Sequence, residues 1–240
     1  MLLIVTVSLF ANQVEKIKMY TEHYPPYNMK DINGNLKGTS IKVLEAMLIE
    51  MKSNQTINDV KLRSWSKSYS VAQRIKNAMV FSTTRTKSRE KDFKWVGPIR
   101  ETTIGVIALK ERNLKINKTS DLSQYNIGAV LKDVGETLLL EAGVDKKNIQ
   151  YVKGEDAINL SLKKIDKNRI DMFVYETNVA FSHIKTENYD MDKYEVIFTL
   201  KKGFLYFAFN KNTDDKIINK WQNALDTVKK NGLLDKINKN

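Results

Sequence analysis

Apolar positions along this chain fall into two rhythms that take turns. Runs of strand length, bounded by polar residues, occur at Met79-Val80-Phe81, Ile104 to Leu109, Ile127 to Leu131, Ile149 to Val152, Ile170 to Tyr175 and Leu205 to Phe209. Glu15 to Tyr20 alternates toward a strand, and Val60 and Leu62 alternate with basic residues into Trp65, predicting a strand that ends there. Helical spacing governs the intervening stretches. Val43, Leu44, Met47, Leu48 and Met51 follow the Gly38-Thr39-Ser40 cap, a helix runs through Ala157 to Lys164, and Thr119 to Leu122 signals a short one. Near the end, Ile217, Ile218, Trp221, Leu225 and Val228 share one face of a helix that Gly232 stops, and the Lys- and Asn-rich tail is expected to fray. Arg100-Glu101-Thr102-Thr103 reads as a polar break, and Leu200 to Gly203 as a return between Val196-Thr199 and the strand at Leu205. Strands alternating with helices make this an α/β protein.

Composition narrows the function classes. A chain of 240 residues with 42% hydrophobic content and few Pro and Gly forms one large domain or two lobes. The absence of cysteine excludes disulfides, thiolate metal sites, a cysteine nucleophile and a lipid-bearing N-terminal cysteine. His23 and His183 are the only histidines, and His23 is expected to face solvent or cap its turn. The formal charge of +12 comes from lysines spread along the whole chain, without a basic block interleaved with aromatics, which argues against nucleic acid as a partner. Met1 to Ala11 is an apolar run of signal-peptide length, too short to span a bilayer; residues 1–12 are expected to be the remnant of an export signal, with a buried first strand as the alternative.

Candidate chemistry gathers where strands end. After Phe81 the chain reads STTRTKSREKDFKWVGP, a cluster of hydroxyls with two guanidinium forks, Arg85 and Arg89, suited to holding a small anion. The alternative is a solvated turn. Thr21-Glu22-His23-Tyr24-Pro25-Pro26-Tyr27 is a turn stiffened by two prolines, either a pocket wall or a surface turn whose tyrosines pack on the core. Trp65 offers a flat face to a ligand, or a core side chain. Lys132-Asp133-Val134-Gly135-Glu136-Thr137 joins a strand to a helix and presents N–H groups to an anion, without the second glycine or Gly-Lys-Ser/Thr ending of a phosphate loop. Glu176 stands at the carboxyl end of a strand, where open α/β sheets bind ligands, or caps the helix that begins at Thr177.

The arrangement Thr84-x-Thr86-x-x-Arg89, followed by Asp92-Phe93, resembles the ligand loop of family 3 extracellular solute-binding proteins, the amino-acid receptors of ABC importers. The resemblance covers nearly the whole chain after Ala11. It implies a two-lobe type II periplasmic binding protein, each lobe a mixed sheet flanked by helices, with two short hinge crossings; lobe 1 takes residues 13–100 plus 204–240 and lobe 2 residues 103–198. It further implies that Ser82 and Thr84 contact the ligand's ammonium and carboxylate, that Arg89 clamps the carboxylate, and that the turn of Lys132, Val134, Gly135 and Glu136 closes over it. Tyr24 packs on the ligand side chain with Thr21 and Glu22 near its far end, Trp65 reaches the cleft, and Glu176 holds the α-ammonium where the family has Asp. Arg85 departs from the apolar residue common in the family. The expected protein is a periplasmic monomer without lipid anchor or cofactor, which delivers a small amino acid or carboxylate to a permease. Two alternatives use the same cleft. A dehydratase-type enzyme would draw its acid or base from Glu22, His23 or Glu176, and a stand-alone sensor would pass closure to a separate partner.

Overall fold

The apolar run before the Thr/Arg cluster becomes an interior strand. In the computed structural model, which describes residues 16–154 and 156–239, β5 (Ala78–Thr84) is buried at every position. On one side it pairs in parallel with β1 (Lys18–Thr21), which pairs in parallel with β4 (Lys61–Leu62). On the other side lies β10 (Tyr194–Asn210), antiparallel, itself paired along its length with β6 (Phe93–Leu109). Beyond β6 come β9 (Met172–Glu176), antiparallel to it, then β7 (Ile127–Val130) and β8 (Ile149–Val152), both parallel to β9. The result is one eight-stranded mixed sheet, β4-β1-β5-β10-β6-β9-β7-β8. A small hairpin, β2 (Met29–Lys30) with β3 (Leu36–Lys37), lies outside it.

Arg100 to Thr103 is not a break, and Leu200 to Gly203 is not a separate return. Both stretches continue 17-residue strands, β6 and β10, which pair from Tyr194↔Leu109 to Asn210↔Phe93. At about 3.3 Å per residue each strand spans roughly 55 Å and runs through both halves of the molecule. Their middles alternate between covered and solvated positions, so polar residues sit there at no cost to strand geometry. β10 shifts register between Val196 and Phe198, Thr199 and Lys201, and Leu205 and Phe207.

Helices cover both faces. α1 (Thr39–Glu50), α6 (Asp215–Lys230) and α7 (Leu233–Lys239) bury Leu44, Met47, Trp221, Leu225 and Ile237 against Met79, Phe81, Phe207 and Phe209. The tail after Gly232 is therefore a docked helix rather than a frayed end, with Leu234 and Ile237 in the core and the Asn238 amide donating to the Ile99 carbonyl (3.0 Å). Around the other half, α3 (Val134–Glu141), α4 (Ala157–Asp166) and α5 (Thr177–Thr186) flank β7, β8 and β9. Trp65 starts a helix, α2 (Trp65–Arg74), instead of ending a strand. Its buried face is Trp65, Ser68, Tyr69 and Ala72, a helical spacing with only one small aliphatic in it, so hydropathy alone did not signal it. Among the described residues no helix is long and apolar enough to cross a membrane. The apolar run at 1–11 lies outside the described residues.

Candidate ligand-binding site

Four strands of the sheet deliver their carboxyl ends to one region: β1 leads to Glu22, β5 to Thr84, β7 to Asp133 and β9 to Glu176. Arg89 occupies the middle of it. Thr86 begins a 3-10 turn, Lys87–Arg89, by accepting the Arg89 N–H on its hydroxyl (3.3 Å), which aims the arginine inward, 4% exposed. Its Nη1 donates to the Thr84 carbonyl (3.2 Å) and its Nη2 to the Lys132 carbonyl (3.0 Å). The guanidinium lies 5.5 Å from the Trp65 ring centre and 5.1 Å from that of Tyr69, within cation–π range. The Trp65 indole N–H donates to the same Lys132 carbonyl (2.8 Å), so α2, the Arg89 loop and the end of β7 are tied at one atom. A guanidinium has five N–H donors and two go to these carbonyls, which leaves donors for a ligand anion.

Glu22 and Asp133 feel the charge of this arginine, a third buried carboxylate, Glu176, ends β9, and the three differ in how they are satisfied. Glu176 is fully buried and caps α5: its Oε2 accepts from the Val179 N–H (2.8 Å), and its Oε1 from the Tyr27 hydroxyl (3.1 Å), the Thr103 N–H (3.3 Å) and the Asn178 amide (3.3 Å). Burial still raises its pKa, with those donors opposing the shift. Asp133, 7% exposed at the start of α3, has its Oδ2 buried without a partner; burial raises its pKa against the pull of Arg89. Glu22 is pushed well above the ordinary carboxylate range by burial and by the charge of Asp133, again with Arg89 opposing. Its carboxylate has no hydrogen bond or ion pair among the described residues. Tyr24 and Tyr175 meet edge to face at 5.6 Å beside these acids, and burial followed by the neighbouring ionisable groups raises both phenols.

The start of α3 approaches β9 closely. A Cβ on Gly135 would lie 3.0 Å from both the carbonyl oxygen and the Cγ1 of Val174, so glycine sets how near this helix end comes. Lys132, in the left-handed region at φ 65°, turns its Nζ to Ser70 (3.0 Å), and its N–H donates to Glu136. Outside Arg89 a groove of about 500 Å³, lined by Tyr69, Gln73, Asp92, Lys132 and Glu136 among others, connects to solvent. That volume suits a small ligand.

Of the residues expected at the site, Trp65, Arg89 and the Lys132 carbonyl meet directly, Arg89, Lys132 and Glu136 line the groove, and Glu176 is spent on Tyr27, Thr103, Asn178 and Val179. Thr21 and Ser82 serve a different purpose. The Asn28 amide donates to the Thr21 hydroxyl and the Glu22 carbonyl (both 2.7 Å), while Ser82 donates to Asn28 and lies 2.9 Å from Ser40, so both hydroxyls are spent on a buried brace beneath the site. Arg85 turns elsewhere, to Glu90 (2.8 Å) and over the rings of Trp95 and Tyr206. His23, half-buried, packs edge-on to His183 (5.6 Å). Tyr69, which lies against Arg89, and Asn178, which donates to Glu176, were not singled out from sequence, and Tyr27 and Asp133 were read only as parts of their turns. Asp133 carried a legible signal, an acidic residue at the cap position between a strand and a helix. Among the described residues no group of three or more His, Cys, Asp or Glu is placed to hold a metal.

A family model described as bacterial extracellular solute-binding proteins, family 3, matches residues 17–240. No curated protein matches. Solved structures of the same architecture include an ancestral arginine-binding protein bound to arginine (23% identity, 92% of this chain and 95% of that one, TM-score 0.72). A putative L-cystine ABC transporter from Listeria monocytogenes follows at 21% identity, covering 92% and 93% of the two chains with a TM-score of 0.76. A histidine kinase sensor domain with similarity to periplasmic binding proteins reaches a TM-score of 0.77 at 16% identity over 93% and 94%. The large mixed sheet flanked by helices is that of type II periplasmic binding proteins.

Proposed function

Since this chain belongs to the bacterial extracellular solute-binding proteins of family 3, we propose that it binds an amino acid or a similar small carboxylate in the cleft between two lobes and delivers it to an ABC import permease from the periplasm. Lobe 1 comprises residues 13–100 and 204–240, lobe 2 residues 103–198, and β6 and β10 carry the chain between them. The observation that supports this reading best is Arg89, a buried guanidinium with spare donors, held by carbonyls from both sides of the cleft and roofed by Trp65. A ligand carboxylate meets Arg89 and the N–H groups at the start of α3, where the positive helix end adds to the attraction. Tyr24 and Trp65 wall the remainder. A charged solute leaves water only when each of its ends is satisfied, which couples binding to closure over both lobes.

Thermal-shift screening of the whole chain against amino acids and small carboxylates, followed by calorimetry on the best ligand, tests the proposal. Arg89→Ala is expected to weaken that ligand by tenfold to over a hundredfold, the worth of a charge-assisted bidentate contact of about 1.5–3 kcal/mol. An unchanged dissociation constant removes Arg89 from the site. Recovery of the ligand intact by mass spectrometry after hours with the protein separates a receptor from an enzyme, for which protein-dependent loss of water or ammonia is the signature.

A further inference from the structure

Sheet edges in this molecule are treated unequally. Where β6 runs beside α6 and α7, side chains close its free side: the Gly97 N–H donates to the Gln222 Oε1 (3.0 Å), the Gln222 amide to the Gly97 carbonyl (3.2 Å) and the Asn238 amide to the Ile99 carbonyl (3.0 Å). β4 is two residues long and β8 four. β10 is different. β5 pairs with it only from Leu205 to Phe209, so from Tyr194 to Gly203 its one strand neighbour among the described residues is β6. The Arg85 N–H reaches the Phe204 carbonyl (3.5 Å) where this open stretch ends, and among the described residues no side chain caps the main chain between Glu195 and Gly203. Apolar groups stand in water beside it, Val196 at 39% and Phe204 at 44% exposure. An unpaired edge of this length presents N–H and C=O groups that a second strand can satisfy.

We propose that this edge is where two copies of the chain pair, β10 against β10, antiparallel about a two-fold axis, in place of the monomer that the family resemblance implies. Partners on β6 fix which residues share a face. Glu195, Phe198 and Lys201 stand opposite Ala108, Val106 and Ile104 and point one way, while Val196 and Thr199 stand opposite Ile107 and Gly105 and point the other. A two-fold axis makes each residue meet one from its own face. Centred on Phe198, it sets Glu195 against the copy's Lys201 and Val196 against the copy's Thr199, so opposite charges meet at two symmetric places. Centred one step on, at Thr199, it sets Phe198 against Lys201; at Lys201 it brings like charges together. Neither Glu195 nor Lys201 has an ion pair within the chain among the described residues, so both are free for this one. Register shifts between Val196 and Phe198 and between Thr199 and Lys201 bend the edge, and a copy carries the same bend, which favours the chain itself over a flat, unrelated strand. Strand pairing alone buries less than the roughly 1,200 Å² of a stable interface, so the dimer is weak, with a dissociation constant of about 10 μM to 1 mM.

Analytical ultracentrifugation of the whole chain from about 5 μM to 1 mM tests this, in about 0.15 M salt, where repulsion between copies of formal charge +12 is screened beyond about 8 Å. A monomer–dimer equilibrium is expected. Glu195→Lys and Lys201→Glu each set like charges against one another at two places and should weaken it roughly two- to thirtyfold, while the double variant brings opposite charges back and with them the wild-type constant. Amide hydrogen exchange over residues 195–202 should slow as the concentration passes the dimer constant. A chain that stays monomeric throughout overturns the proposal and leaves the edge to a strand of another protein. A dimer indifferent to both single variants, or one without slowed exchange over residues 195–202, overturns the edge as the interface. Failure of the double variant to restore pairing overturns the register, and association that continues past the dimer overturns the two-fold axis. The ligand-binding reading is untouched by any of these results.

Discussion

Four donors converge on the carboxylate of Glu176, from Tyr27, Thr103, Asn178 and Val179, and two of them are main-chain N–H groups that have no other role in the site. Glu176→Gln keeps the shape but places an amide N–H where an acceptor is needed, so it should destabilise the protein by about 1–3 kcal/mol in urea unfolding. A change inside a few tenths of that range would mean the carboxylate carries no structural weight. His183 provides a second residue-scale test. Burial and the nearby His23 hold its pKa down to about 4, with Asp156 opposing. The folded state keeps the imidazole neutral while the unfolded chain takes up a proton below about pH 6.5, so stability is lost as pH falls from that value toward the folded pKa. Between pH 7 and about pH 4.5 the wild type should lose roughly 2–3 kcal/mol that His183→Gln retains. Parallel pH profiles for the two proteins would remove His183 as the cause.

At the scale of elements, α7 and α3 make separable contributions. α7 is fastened to its half of the sheet through Leu234 and Ile237 in the core, the Asn238 amide on the Ile99 carbonyl and Arg100 on the Asn238 carbonyl (3.1 Å). Removing residues 233–240 should lower stability by several kcal/mol, since each buried leucine or isoleucine lost costs about 2–5 kcal/mol. Ligand affinity at low temperature should survive, because α7 contributes nothing to the cleft; loss of affinity in a truncated protein that remains folded would contradict this division. Gly135→Ala acts at the other end. The added methyl meets the Val174 backbone, so α3 must retreat from β9 and carry Asp133 with it. The expected outcome is a weaker ligand with a smaller change in melting temperature than the α7 truncation produces.

Across the whole molecule, the polar contacts that join the two sides of the cleft include Trp65 and Arg89 on the Lys132 carbonyl, Lys132 on Ser70, and Tyr27 with Glu176 and Asn178, and they are accompanied by the ring contacts Tyr24–Tyr175 and His23–His183. β6 and β10 provide the continuous connection, and the register shifts of β10 lie at the points where it can bend. On the proposed two-lobe reading, Trp65→Phe removes a bond of about 1 kcal/mol from the closed state alone, and so should raise the open population of the unliganded protein severalfold. Solution scattering would read this as a larger radius of gyration without ligand, restored at saturation. A Trp65→Phe protein with the wild-type radius in both conditions would rule out the indole as a closing contact.

Most of the elements were legible in the residues themselves. Runs such as Met79 to Phe81 or Ile127 to Leu131 are apolar because the strands are covered, and the spacing of Val43, Leu44, Met47 and Leu48 records a buried helix face. The residues alone left the Arg85 and Arg89 cluster open between an anion site and a solvated turn, and only the fold turns Arg89 inward, 4% exposed, while Arg85 pairs with Glu90. What the sequence could not decide is which polar groups spend their hydrogen bonds inside the protein. Ser82, Thr21 and Arg85 have the right chemistry for a ligand, yet their partners are Asn28, Ser40 and Glu90, and those pairings depend on packing at long sequence separation. Trp65 and Lys132 stand 67 positions apart and meet only because the fold brings α2 to the end of β7. The polar middles of β6 and β10 likewise read as breaks, because local hydropathy does not record that each strand's hydrogen-bonding partner is the other.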